Sequence, residues 1–159
     1  MKIRAFELRD LPQMVEIWNE VIAAGNAFPQ LEPLRLEEAG EFFGGQSHTG
    51  VAEADGEILG LYILHPNNIG RVGKLANASY AVASKSRGRH VGEALVRDSL
   101  EQGRLLGFRA LQFNAVVASN EAAIRLYEKL DFQQLGRIPQ IFERPDGTFE
   151  DILLFYHTL

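Results

Sequence analysis

The run from Ala76 to Val117 restricts the fold more than any other part of the chain. An apolar, strand-like stretch (Ala76 to Ala83) passes through the turn Ser86-Arg87-Gly88-Arg89-His90-Val91-Gly92 into an amphipathic helix, and a second apolar stretch (Ala110 to Val117) follows. A strand-helix-strand crossover implies at least one parallel pair, here Ala76 to Ala83 with Ala110 to Val117. The helix repeats Gly92, Leu95, Val96, Ser99, Gly103 and Leu106 at intervals of three or four, so small residues on its buried face let it lie close to a sheet. Gly107-Phe108 gives a helix stop with its hydrophobic contact. The turn itself is rich in glycine and positive charge. Backbone N–H groups at a helix start are unpaired and carry the positive end of the helix dipole, which suits a phosphate or pyrophosphate.

The rest of the sequence supplies strands that can pair antiparallel around this unit. Ile3 to Leu8 reads as a short strand. Asp10 is expected to cap a helix with Pro12 in its first turn and a stripe of Met14, Val15, Trp18, Val21 and Ile22, ended by Gly25-Asn26. A loop carries Phe28, Leu31 and Glu32, and Leu36 to Phe43 reads as a second helix. Val51 to Ala54 and Ile58 to Leu64 flank Asp55-Gly56, a two-residue hairpin signal. The second of these strands is apolar on both faces, which places it centrally. His65 to Gly70 is expected to be a loop. After Val117, Ser119 is expected to cap a helix bearing Ala123, Leu126, Tyr127 and Leu130, and Phe132 to Ile138 and Glu150 to Tyr156 close the chain as strands around an Asp146-Gly147 turn. The order is strand, two helices, three strands, helix, strand, helix, two strands: a mixed α/β fold.

Composition narrows the function. The 159 residues show no compositional break, so one domain over residues 1–159 is expected. With a net charge of −5 there is no global basic field, and neither a nucleic-acid nor a membrane partner is expected. The Lys85, Arg87, Arg89 cluster stands out against that acidic background. The absence of cysteine removes disulfides, thiolate metal sites and cysteine nucleophiles together. The four histidines are scattered, so no metal is expected. Met1 to Phe6 lacks the apolar core of a signal peptide and no apolar run is long enough to span a bilayer, so the expected location is cytoplasmic.

Two segments together resemble the GNAT superfamily of acyl-CoA-dependent N-acyltransferases, over essentially the whole chain. Its signature of Arg or Gln, two residues, Gly, one residue, then Gly or Ala falls on Arg87-Gly88-Arg89-His90-Val91-Gly92. Asn120 to Phe132 is similar to the family's asparagine, leucine-tyrosine and Gly-Phe pattern. The resemblance implies a mostly antiparallel central sheet of about seven strands with about four helices on both faces. It further implies acetyl-CoA as co-substrate, with the pyrophosphate held by Arg87, Gly88, Arg89, His90, Val91 and Gly92. The pantetheine would lie along Tyr80, Ala81, Val82 and Ala83 and near Asn120. Two positions depart from the pattern. His90 stands where Gly is usual, in a backbone expected to be helical and tolerant of a side chain with the ring turned outward or toward phosphate. Asp131 replaces the usual Gly after the helix, where left-handed geometry is expected.

In the family reading Tyr127 protonates the departing thiolate; periodicity alone fits a core aromatic equally well. Asn120 reads as a helix cap as readily as a cofactor contact. A backbone N–H near Val82 is where the resemblance puts the oxyanion donor. Because the attacking amine must be neutral, a base is needed, and His65 has a suitable pKa, although it also reads as a plain loop residue. Phe28, Glu32, Asn77, Ser79 and Glu150 are the candidates for the acceptor side, the carboxylates reading equally as solvated charges. Asn77, Ser79 and Asn114 interrupt apolar strands, which favours a polar cleft there. The function expected is N-acetyl transfer from acetyl-CoA to a primary amine of a small or amino-acid-like molecule, by direct attack in a ternary complex. A homodimer through the last strands is expected by analogy. The alternative is a non-catalytic acyl-CoA-binding module.

Overall fold

The computed structural model describes residues 1–159. In chain order the elements are β1 (Lys2–Ala5), α1 (Leu11–Ala24), α2 (Leu36–Gly44), β2 (His48–Ala54), β3 (Glu57–Pro66), β4 (Leu75–Val82), α3 (Val91–Leu105), β5 (Ala110–Val117), α4 (Glu121–Lys129), β6 (Gln133–Glu143) and β7 (Phe149–Thr158). This is the succession and the mixed α/β class read from the sequence. Short 3-10 turns at Leu8–Asp10, Gly70–Val72 and Ser84–Ser86 precede α1, β4 and α3.

The strands form one sheet in the order β1-β2-β3-β4-β5-β7-β6, antiparallel except for β4 and β5. Period-2 alternation divides each central strand between two cores. Met14 and Trp18 of α1 and Phe43 of α2 cover Leu61, Ile63 and Ala81 on one face. Leu95, Val96 and Leu100 of α3 cover Leu59, Tyr62, Phe113 and Phe155 on the other, where Ala123, Leu126 and Tyr127 of α4 also pack. The helices thus lie on both faces, as expected.

The parallel pair is much shorter than the crossover implied. Only Leu75↔Ala110 and Ala76↔Leu111 are paired. Beyond them β4 and β5 diverge, and β5 carries an irregularity between Phe113 and Val116 against β7. The resulting split in the middle of the sheet positions the site.

Several local expectations change. Asp10 does not cap α1 through its side chain; its carboxylate accepts from Glu7 N–H (2.8 Å) and from Arg4 (2.7 and 3.0 Å), closing the turn that ends β1 early. His65 and Pro66 are the end of β3 rather than a loop. Asn120, not Ser119, caps α4 by accepting from Ala123 N–H at 3.3 Å. Leu106 lies past the end of α3 and is 46% exposed. β6 continues through Pro139 to Glu143, with a break in register where Gln140 takes φ +51°.

Candidate active site

β4 divides its backbone between two sides. Ala83 N–H donates to Leu59 O (2.9 Å) and Asn67 N–H to Leu75 O (2.7 Å). With the register Leu61↔Ala81 and Ile63↔Ser79, these bonds assign the odd-numbered residues of β4 to β3. In an antiparallel ladder the intervening residues point their polar groups the other way. Tyr80 and Val82 therefore present N–H and C=O to the gap that β5 has left open. Ala78 N–H points there too, but is taken by its neighbour Asn77 Oδ1 at 2.7 Å.

The turn after β4 is anchored to α1: Ser84 N–H and Oγ donate to Glu20 at 2.7 and 3.1 Å. Gly88 then takes φ +79° and His90 φ +60°, ψ 24°, before α3 begins. The first bond of the helix is Ala94 N–H to His90 O at 3.2 Å. None of the successive N–H groups from Gly88 to Glu93 has an acceptor within the chain. His90 corrects the sequence expectation, since its backbone is left-handed rather than helical. Its side chain is 83% exposed, with Nδ1 4.0 Å from Glu93, so the ring is turned outward.

These amides border a groove of about 740 Å³ that includes Tyr80, Val82, Ser86 and Arg87. Ser86 Oγ, in a residue only 1% exposed, is the one buried side-chain polar atom without a partner. An orphaned hydroxyl beneath a run of free amides fits a phosphate-bearing ligand. Through Tyr80, Gly92, Asn120 and Leu126 the groove joins a cavity of about 330 Å³ that passes through the split to the α1 side of the sheet, where Phe28, Pro29, Asn77, Ser79 and Asn114 line it.

Tyr127 lines this cavity, its ring 4.5 Å from Phe113 and 5.5 Å from Phe132 between centroids. The other tyrosine hydroxyls in this core are committed. Tyr80 lies 2.7 Å from Ser99 Oγ, which donates to Val96 O, and Tyr62 donates to Asp98 at 2.6 Å. Tyr127 has no such partner. Burial raises its pKa well above the ordinary phenol value, so it stays protonated near neutral pH.

The acetyltransferase (GNAT) family profile matches residues 11–132. The chain belongs to this family. A Bacillus subtilis relative, YwnH, provisionally assigned as a phosphinothricin acetyltransferase, is 31% identical over 157 residues, covering 96% of this chain and 95% of the relative. An L-methionine sulfoximine/L-methionine sulfone acetyltransferase of Pseudomonas aeruginosa is 26% identical over 150 residues, covering 89% and 86%. Among solved structures, a GCN5-related N-acetyltransferase from Kribbella flavida superposes with a TM-score of 0.91 at 33% identity, covering 99% of this chain and 97% of that one. This GNAT chain is an enzyme, an acetyl-CoA-dependent N-acetyltransferase, and the non-catalytic alternative is set aside on that ground.

Within the GNAT fold the residues singled out in the sequence separate clearly. Tyr80, Val82, Arg87, Gly88, His90, Val91, Gly92, Asn120 and Tyr127 border the groove or the cavity, and Phe28, Asn77 and Ser79 line the cavity's far side. Ala81 and Ala83 do not: they are buried in the α1 core with their backbone turned to β3. Arg89 is exposed outside the groove lining. His65 is paired with Asn77 but is not part of the lining, and its Nδ1 sits 2.9 Å from Pro66 O. Glu32 is exposed in its loop. Glu150 is occupied by Arg144, and Ser119 and Arg144 hold its carboxyl below the usual range. Ser86 belongs to the turn read from the sequence, but nothing there marks its hydroxyl as unpaired; Arg144, just past the end of β6, also lines the groove, and no local pattern announces it.

Proposed function

We propose that this enzyme acetylates the primary amine of a small, amino-acid-like acceptor by direct attack in a ternary complex. One observation carries the reading: an unpartnered, protonated phenol, Tyr127, stands in the cavity that leads from the amide-lined groove through the split in the sheet. Acetyl-CoA supplies the acetyl thioester. Its diphosphate suits the free N–H groups from Gly88 to Glu93 with Arg87 and Ser86 Oγ beside them, and its amide-bearing arm suits the open backbone of Tyr80 and Val82. Asn120 uses Oδ1 as the helix cap, which leaves its Nδ2 protons for the groove. Val82 N–H is the donor offered to the developing oxyanion.

The amine nitrogen forms the C–N bond as the carbonyl electron pair moves onto oxygen, and return of that pair breaks the C–S bond. The departing sulfur takes the Tyr127 proton, the nitrogen releases its surplus proton to water, and Tyr127 is reprotonated from solvent. With no cysteine in the chain, no thiol acyl-enzyme intervenes. The acceptor class is supported by the cavity, whose volume of about 330 Å³ suits a small molecule, and by relatives named for phosphinothricin and for methionine sulfoximine and sulfone. Thiol release across an amine panel tests the reading. Tyr127→Phe is expected to lower kcat by about 10² to 10⁴ while KM for acetyl-CoA changes little. An unchanged kcat would remove Tyr127 from the role of general acid.

A further inference from the structure

The cavity at the β4–β5 split is lined by 18 residues, and none of them carries a charge at neutral pH. Its polar groups on the acceptor side are Asn77, Ser79 and Asn114. Asn77 Oδ1 already serves Ala78 N–H, and Asn114 exchanges two hydrogen bonds with Asn67 (3.0 and 2.6 Å). The only titratable groups in the lining are the phenols of Tyr80 and Tyr127, both pushed upward by burial.

Every charged group on the surrounding elements is engaged or lies outside the lining. On α1, Glu20 accepts from Ser84. On α3, Glu93 is held by Lys129 and Arg97 at 2.8 and 2.9 Å. On α4, Glu121 lies 3.6 Å from Arg125. On β7, Glu150 pairs with Arg144 and Asp151 with Arg137. His65 of β3 and Glu32 of the α1–α2 loop stay outside the cavity.

An ammonium ion brought against apolar walls and neutral amides has no counter-charge, which is costly, and no side chain there is placed to take its proton. We infer that the acceptor enters this cavity as the free amine, its proton already lost to bulk water, so that the enzyme selects weakly basic amines ahead of alkylamines. The inference rests on the acetyl-transfer reading above and deepens it. An α-amine beside an amide, as at a peptide N-terminus, of pKa about 8 and an alkylamine of pKa about 10.4 differ by about 230-fold in free-base fraction at pH 7.

The test is kcat/KM for thiol release by the full chain, measured from about pH 6 to 11 with one amine of each kind. The ascending limb is expected to follow the acceptor, lying about 2.4 pH units higher for the alkylamine. At pH 7 the α-amine is expected to be favoured by a factor on the order of 100. An ascending limb at the same pH for both amines would reveal a base on the protein and overturn the inference. No thiol release with any amine at any pH, while acetyl-CoA still binds, would instead overturn the acetyl-transfer reading itself and the inference with it.

Discussion

At the residue scale, His90, just before α3, and Asp131, just after α4, occupy left-handed backbone, φ +60° and +66°. Such geometry costs a side-chain-bearing residue roughly 1 to 2 kcal/mol, while glycine adopts it freely. In a helix glycine is worse than alanine by up to about 1 kcal/mol, and here the order reverses. At both positions the glycine variant is therefore expected to be about 1 kcal/mol more stable than the alanine variant, read from urea midpoints; alanine proving the more stable would mean a right-handed backbone. Ser86 makes a second residue-scale test, because two readouts move in opposite directions. Its buried hydroxyl has no partner in the chain, so Ser86→Ala is expected to stabilise the free protein by about 1 kcal/mol. The same change is expected to weaken acetyl-CoA binding about tenfold, measured by calorimetry, through loss of a charge-assisted hydrogen bond. Unchanged affinity would assign the hydroxyl no part in binding.

At the element scale, α3 is seated against the sheet by a close approach. A Cβ on Gly60 of β3 would lie 2.9 Å from Ala81 O, 3.0 Å from Val91 Cγ1 and 3.1 Å from Leu95 Cδ1. Ala81 O is backbone and cannot swing aside, so the strain falls on the first turn of α3, where the free amides are. Gly60→Ala is expected to cost about 1 to 3 kcal/mol and to raise the acetyl-CoA dissociation constant, whereas a purely structural effect would leave that constant unmoved. The join between β1 and α1 is electrostatic. Arg4 binds both Asp10 and Glu53, and its hydrogen bonds hold the Asp10 carboxyl below the usual range. A depressed folded pKa gives stability that is complete above the unfolded value of about 3.9 and lost as pH falls through the folded one. Asp10→Asn is expected to cost about 2 kcal/mol at pH 7, with the gap to the parent closing as unfolding is followed down toward about pH 2.

At the scale of the whole molecule, the sequence discloses what is local and hides what depends on strand divergence. Period-2 and period-3.6 patterns gave every strand and helix in order, and the Gly88 to Gly92 turn was legible because glycine, charge and helix start coincide in one stretch. The alternation along β4 is legible too, yet which of its residues face an open gap is not. The β3 register assigns Ala81 and Ala83 to β3, and Tyr80 and Val82 are left facing a gap because pairing with β5 stops after Ala76. The ends of β5 offer no residue that announces this; the irregularity between Phe113 and Val116 is a property of the β7 pairing. The molecule is thus two half-sheets joined at a short seam, with unpaired backbone facing the opening, and that arrangement predicts a pattern of hydrogen exchange. In the free protein the amides of Tyr80, Val82 and Gly88 to Glu93 are expected to exchange fast, while Ala81 and Ala83 are protected by β3. Saturating acetyl-CoA is expected to slow the first set and, at about 100 times its dissociation constant, to stabilise the whole fold by about 2.7 kcal/mol. Protection confined to Gly88 to Glu93, with Tyr80 and Val82 still exchanging fast, would show that the cofactor's arm does not run along β4.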